Sequence, residues 1–151
     1  MDLLFKAERF CAYQERSRFE VEKKLRELKA KPDEISKIIS SLTEDGYLHD
    51  ERYAKLFASG KFRIKKWGKN KIRAELRMKK ISGDLIQNAL DAIDDEEYLK
   101  TIQHLIKRKA REAKTQDPKD KLRKIVMFLL SRGFESELIW KVLKKDAEQS
   151  R

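Results

Sequence analysis

Ile72-Arg73-Ala74-Glu75-Leu76-Arg77-Met78-Lys79-Lys80-Ile81-Ser82-Gly83-Asp84-Leu85-Ile86-Gln87-Asn88-Ala89-Leu90 is the stretch on which the fold turns. Ile72 and Leu76 stand one helical turn apart, and Ile86, Ala89 and Leu90 recur at helical spacing after a break near Lys80-Ile81. The same spacing occurs twice more. Counted from Leu76, apolar residues sit at −4, 0, +5, +10, +13 and +14. Counted from Leu25, these positions hold Val21, Leu25, Ala30, Ile35, Ile38 and Ile39. Counted from Leu129, they hold Ile125, Leu129, Phe134, Ile139, Val142 and Leu143. The anchor leucines are 51 and 53 residues apart, which marks an internal repeat.

Each copy reads as two helices joined by a tight turn at Lys29-Ala30, Lys80-Ile81 or Gly133-Phe134. Gly133 suits a left-handed residue after a helix, whereas Lys29 and Lys80 would adopt that conformation at a cost or use another turn. A further helix precedes each pair. Its apolar stripe is Leu3, Leu4, Ala7, Phe10 and Cys11 in the first copy, Tyr53, Phe57 and Ile64 in the second, and Leu99, Ile102, Leu105 and Ile106 in the third. Start signals agree: Ser17 with Glu20 forms a capping box, Asp50 is expected to cap the helix holding Tyr53, Asp94-Asp95-Glu96-Glu97 places acid at a helix start, and Asp117-Pro118 sets a cap before a first-turn proline. The predicted fold is all-α, with three tandem three-helix repeats (about nine helices) over residues 1–49, 50–94 and 95–151. One such unit of about 45 residues buries too little to stand alone, so the repeats should share cores in an elongated array whose curvature the sequence leaves open.

Composition fits. Two prolines and five glycines in 151 residues allow long helices, and 40% apolar residues beside 42% charged ones suffice for a core. No run of 18 apolar residues exists. The start Met1-Asp2-Leu3-Leu4-Phe5-Lys6 lacks a charged region followed by an apolar one, so it does not read as a secretory signal. The expected location is the cytoplasm. The single Cys11 lies on an apolar stripe and reads as a small core residue.

Charge is concentrated. The chain carries +11, and residues 55–81 hold eleven cations against one anion, Glu75. Outside that segment 26 cations face 25 anions. The candidate contact residues are Lys61, Arg63, Lys65, Lys66, Lys69, Lys71, Arg73, Arg77, Lys79 and Lys80. In a helix, Lys69, Arg73, Arg77 and Lys80 would form one stripe. Like-charge neighbours at that spacing cost a helix roughly 0.2–0.5 kcal/mol per pair, which an anionic partner would offset. The step Trp67-Gly68 could present backbone N–H groups to a phosphate. The bland alternative is a solvated basic face, and Trp67 is expected to pack between repeats more readily than to stack on a base. Lys107-Arg108-Lys109-Ala110-Arg111 reads as a solvated helix end.

Standard chemistry finds no footing. His49 and His104 have no partner at ligand spacing, so no metal is expected. No Gly-rich phosphate loop is present, no serine lies near a histidine, and the acidic pairs fall at helix starts. The chain is expected to be a binding protein without catalytic residues or cofactor.

The stretch from Leu42 to Ala54, containing Gly46-Tyr47-Leu48-His49-Asp50 and then Tyr53-Ala54, resembles the most recognisable motif of the RecX family. Lys66-Trp67-Gly68-Lys69, continuing through Ile72 to Glu75-Leu76, resembles the family's next signature, and Arg16-Ser17 with Val21 to Leu25 its first-repeat signature. The resemblance covers roughly residues 5 to 145. It implies an all-helical regulator of the RecA recombinase that binds the RecA–DNA filament, single- or double-stranded DNA being met directly or through the filament. It also implies damped ATP hydrolysis, strand exchange and repressor self-cleavage, within recombination, DNA repair and the SOS response. Most motif residues are expected to be structural: Tyr47, Leu48, Ala54, Ile72 and Leu76 as core, Asp50 as a cap. Lys29 and Lys80 stand where the family often has glycine. The repeat array favours a monomer. Rival readings are a helix-turn-helix DNA- or RNA-binding protein acting without RecA, and a scaffold for another acidic protein.

Overall fold

The computed structural model describes residues 2–149 and contains nine helices and no strand among them. Residue 1 and residues 150–151, at the outer ends of the first and third expected repeats, lie outside the described residues. The helices are α1 (Leu3–Tyr13), α2 (Arg18–Glu27), α3 (Pro32–Glu44), α4 (Asp50–Lys65), α5 (Lys69–Met78), α6 (Gly83–Asp91), α7 (Asp95–Glu112), α8 (Pro118–Ser131) and α9 (Ser136–Gln149).

The three repeat turns close in one way. The carbonyl of each anchor leucine accepts an N–H five residues on: Leu25 from Ala30, Leu76 from Ile81, Leu129 from Phe134, at 3.0, 3.2 and 3.1 Å. The next carbonyl accepts from the residue three further along, which is Lys29, Lys80 or Gly133. These are the two bonds of a Schellman closure, and it requires a left-handed residue just past the helix. Lys29, Lys80 and Gly133 have φ of 67°, 58° and 96°. Both lysines therefore take the costly conformation, at about 1–2 kcal/mol each. The closure also explains the apolar residue at +5, which folds back over the anchor leucine's turn.

The chain divides into two compact units, residues 1–57 with 75–89, and residues 58–74 with 90–151. The boundaries fall inside α4, α5 and α6. In the first unit, α1, α2 and α3 pack together around Ala7, Cys11, Val21, Leu25, Ile38, Ile39, Leu42 and Leu48. Ser17 accepts from the Glu20 N–H at 3.1 Å while Glu20 accepts from the Ser17 N–H at 3.0 Å, completing the expected capping box. Arg52 anchors the turn after α3, donating to Glu15 at 2.8 Å and to the Gly46 carbonyl at 2.9 Å. In the second unit, α7, α8 and α9 pack on one another. Phe62, Tyr98 and Phe134 form a buried row of tilted rings with centroids 5.6 and 5.4 Å apart. Such pairs add roughly 0.5–1.5 kcal/mol each beyond burial. Asp94 and Asp117 cap α7 and α8 as expected, accepting from the Glu97 and Lys119 N–H groups.

Four expectations need correction. Asp50 does not cap α4: His49 does, its Nδ1 accepting from the Arg52 N–H at 3.1 Å. Asp50 instead accepts from the Arg18 N–H at 3.1 Å, satisfying a first-turn donor of α2. Ile64 is 79% exposed, because the buried face of α4 runs through Tyr53, Ala54, Ala58 and Phe62. Leu99 is 36% exposed, since Tyr98 takes the inward position one residue earlier. Tyr47 is also 36% exposed and lies at the surface, because the turn at Gly46 sends Leu48 inward instead.

Candidate polyanion interface

Helix α4 ends at Lys65 because Lys66 turns left-handed, with φ of 57°, and the Trp67 N–H reaches back to the Lys61 carbonyl at 3.2 Å. Gly68 follows. A Cβ there would lie 2.3 Å from the Gly133 carbonyl carbon and the Phe134 nitrogen, so only glycine lets these backbones meet. A Cβ on Gly133 would lie 2.4 Å from that of Lys71. Across this contact the N–H groups at the start of α5 find partners. Gly68 donates to the Arg132 carbonyl at 2.7 Å, Lys69 to the Tyr98 hydroxyl at 2.9 Å, and Asn70 to the Gly133 carbonyl at 2.9 Å. The expected phosphate seat at Trp67-Gly68 is therefore overturned: these donors are spent inside the protein. The Tyr98 hydroxyl in turn donates to Glu135. Burial, with that carboxylate beside it, drives the Tyr98 pKa well above the usual phenol range.

The candidate cations fall into distinct environments. Arg63, Lys65, Arg77 and Lys80 are exposed. Lys61 and Lys71 direct their ammonium groups at the half-buried Trp67 ring, 5.0 and 4.6 Å from its centroid. Lys69 is drawn in: its side chain is only 17% exposed, lies over the Tyr98 ring at 5.0 Å and reaches the exposed Asp95 at 3.9 Å. Arg73 donates to Asn70 at 2.8 Å. Lys79 approaches Glu20 at 3.9 Å, and Lys80 lies over the Phe19 ring at 5.6 Å. The expected four-residue stripe is thus shorter on the helix. Lys69, Arg73 and Arg77 fall within α5, while Lys80 lies beyond its end as the left-handed turn residue.

Arg132 was not singled out in the sequence. Its guanidinium donates to the Lys65 carbonyl at 3.2 Å, and its own carbonyl receives Gly68. No local signal announces a contact across 67 residues; the glycines at 68 and 133 were the only trace. Lys109, read as part of a solvated helix end, reaches Glu112 at 4.0 Å and also lies over the Phe128 ring at 4.6 Å. Among the described residues no three His, Cys, Asp or Glu side chains gather as a metal site would need. No helix among them is long and apolar enough to cross a membrane.

Residues 50–90 match the RecX second three-helix domain, and residues 95–143 match the RecX third three-helix domain. The chain belongs to the RecX family. Among RecX relatives, the regulatory protein RecX of Lactobacillus johnsonii is 31% identical over 129 residues, covering 85% of this chain and 48% of that protein. The regulatory protein RecX of Clostridium botulinum strain Eklund 17B is 36% identical over 115 residues, covering 75% of this chain and 53% of that protein. The chain spans about half the length of these curated relatives. The crystal structure of RecX from Lactobacillus salivarius superimposes with a TM-score of 0.86 at 27% identity, covering 95% of this chain and 93% of that one. A second solved regulatory protein RecX, 23% identical with a TM-score of 0.83, shares the fold.

Proposed function

We propose that this chain regulates the RecA recombinase by binding the RecA–DNA filament, with the basic segment of the second repeat, residues 50–94, as its contact surface. One observation carries the reading: in a chain of the RecX family, nearly the whole net charge of +11 is supplied by residues 55–81. The exposed Arg63, Lys65 and Arg77 can each displace a condensed counterion from a phosphate or meet an acidic surface on RecA. Lys69 and Lys79, already near carboxylates, serve the fold first.

Restraint of a filament needs placed charge and no reacting group. A chain bridging neighbouring protomers raises the cost of their movement and obstructs the next one. ATP hydrolysis, strand exchange and repressor cleavage then fall together. This role would place a monomeric chain in the cytoplasm, where RecA filaments form.

The test is DNA-dependent ATP hydrolysis by the cognate RecA, titrated with this protein. The expected result is loss of hydrolysis well below one copy per RecA, weakened when Arg63, Lys65 and Arg77 are changed to glutamate. No effect at any ratio, with salt-sensitive DNA binding retained, would refute the RecA reading in favour of a nucleic-acid-binding protein that acts alone.

A further inference from the structure

The second unit holds two aromatic rings dressed in the same way. Trp67 carries Lys61 and Lys71 at 5.0 and 4.6 Å from its centroid. Phe128 carries Lys109 and Arg132, at 4.6 and 5.3 Å. Both residues are half-buried. The two clusters are tied together: Arg132 donates to the Lys65 carbonyl, and its own carbonyl accepts from Gly68, the residue after Trp67.

We propose that the Trp67 ring, with Lys61 and Lys71, and the Phe128 ring, with Lys109 and Arg132, are two seats for single-stranded nucleic acid, the second carrying the contact onto the third repeat. The relative strengths of the contacts favour this occupant. The four cations are half-buried, and a cation over a ring is worth about 2- to 30-fold in affinity as it is desolvated, whereas a base stacked on an aromatic side chain is worth about 5- to 150-fold. A base arriving at either ring therefore displaces the ammonium or guanidinium, which swings to the adjoining phosphate and releases a counterion. One nucleotide exchanges a single contact for two, a stacked base and a cation paired with phosphate. An acidic protein face offers carboxylates but no ring to fill the vacated faces, and duplex bases are already stacked on one another. Lys109 also reaches Glu112 at 4.0 Å, a contact that phosphate must compete with.

The proposal deepens the reading of the basic segment as a polyanion contact. Its test contains no RecA, so failure of the RecA assay and failure of the seat are separate results. Wild type, Phe128→Leu and Trp67→Leu are titrated with a fluorescent oligothymidylate and with an abasic oligonucleotide of equal length and charge. Phe128→Leu keeps apolar bulk and removes only the ring; far-ultraviolet circular dichroism checks each fold. Wild type is expected to prefer oligothymidylate by about 5-fold or more, and each variant to lose part of that preference while binding the abasic strand unchanged. Equal binding of both strands by wild type would overturn the proposal, leaving a surface that senses charge alone. A preference fully kept in Phe128→Leu would remove the second seat. Binding of polyglutamate with none of either oligonucleotide would overturn the seat in favour of an acidic protein partner.

Discussion

Replacing Gly68 by alanine puts a methyl group into another segment's backbone. The new Cβ would stand 2.3 Å from the Gly133 carbonyl carbon and the Phe134 nitrogen, and 2.4 Å from the Gly133 oxygen. Ordinary contact needs about 3.5–4.0 Å, so the start of α5 and the turn between α8 and α9 must part by more than 1 Å or so. Neither side is a flexible side chain that could swing away. Overpacking of this kind costs about 1–3 kcal/mol. The separation also strains the 2.7 Å bond from Gly68 to Arg132 and the 2.9 Å bond from Asn70 to Gly133, each worth about 0.5–1.5 kcal/mol. The expected loss is about 2–6 kcal/mol, a large part of the 5–15 kcal/mol typical of a folded domain. At about 2–4 °C per kcal/mol for a chain of this size, Tm should fall by on the order of 10 °C. Thermal and urea unfolding followed by circular dichroism at fixed protein concentration read this directly. Gly60→Ala is the control: it lies within α4, its Cβ would meet nothing within 4 Å, and it should stabilise by up to about 1 kcal/mol. If Gly68→Ala melted with wild type, the backbone contact between the two glycines would be wrong.

Other expectations can be checked in the same assays. Lys29→Gly should stabilise by about 0.5–1 kcal/mol, since it relieves a left-handed lysine while adding some unfolded-state entropy; a destabilised variant would contradict that turn. Leu76→Ala should cost about 2–5 kcal/mol, because Leu76 is fully buried, and an unchanged urea midpoint would argue against its anchor role. Burial pushes the Cys11 thiol from its ordinary 9.0 up to about 11, with Arg16 opposing in part. The folded state then holds its proton where the unfolded chain loses it, so this group's contribution to stability falls as pH rises from about 9 through 11. Ultraviolet absorbance should show thiolate in the native protein only at distinctly higher pH than in the unfolded chain, and coincident titrations would place Cys11 outside the core.

The repeat, its helices and most of its caps were legible in the sequence because they rest on local rules. The pairing of positions 0 and +5 at each anchor leucine is one Schellman closure, and that closure joins residues no more than five apart. Ser17 with Glu20, Asp94 and Asp117 likewise act within their own first turns. The concentration of charge in residues 55–81 is a property of the chain and needed no coordinates. What each cation does with its charge was decided by packing. Lys69 is drawn to Tyr98 and Asp95, Lys79 to Glu20, and the N–H groups at the start of α5 are spent on Arg132, Gly133 and Tyr98. Asp50 left its own helix for the Arg18 N–H, 32 residues away in the chain. Short-range hydrogen bonding and apolar periodicity repeat in sequence, so they can be read there. The partners of a surface charge come from whichever segment folding brings alongside, and only the tertiary structure names them.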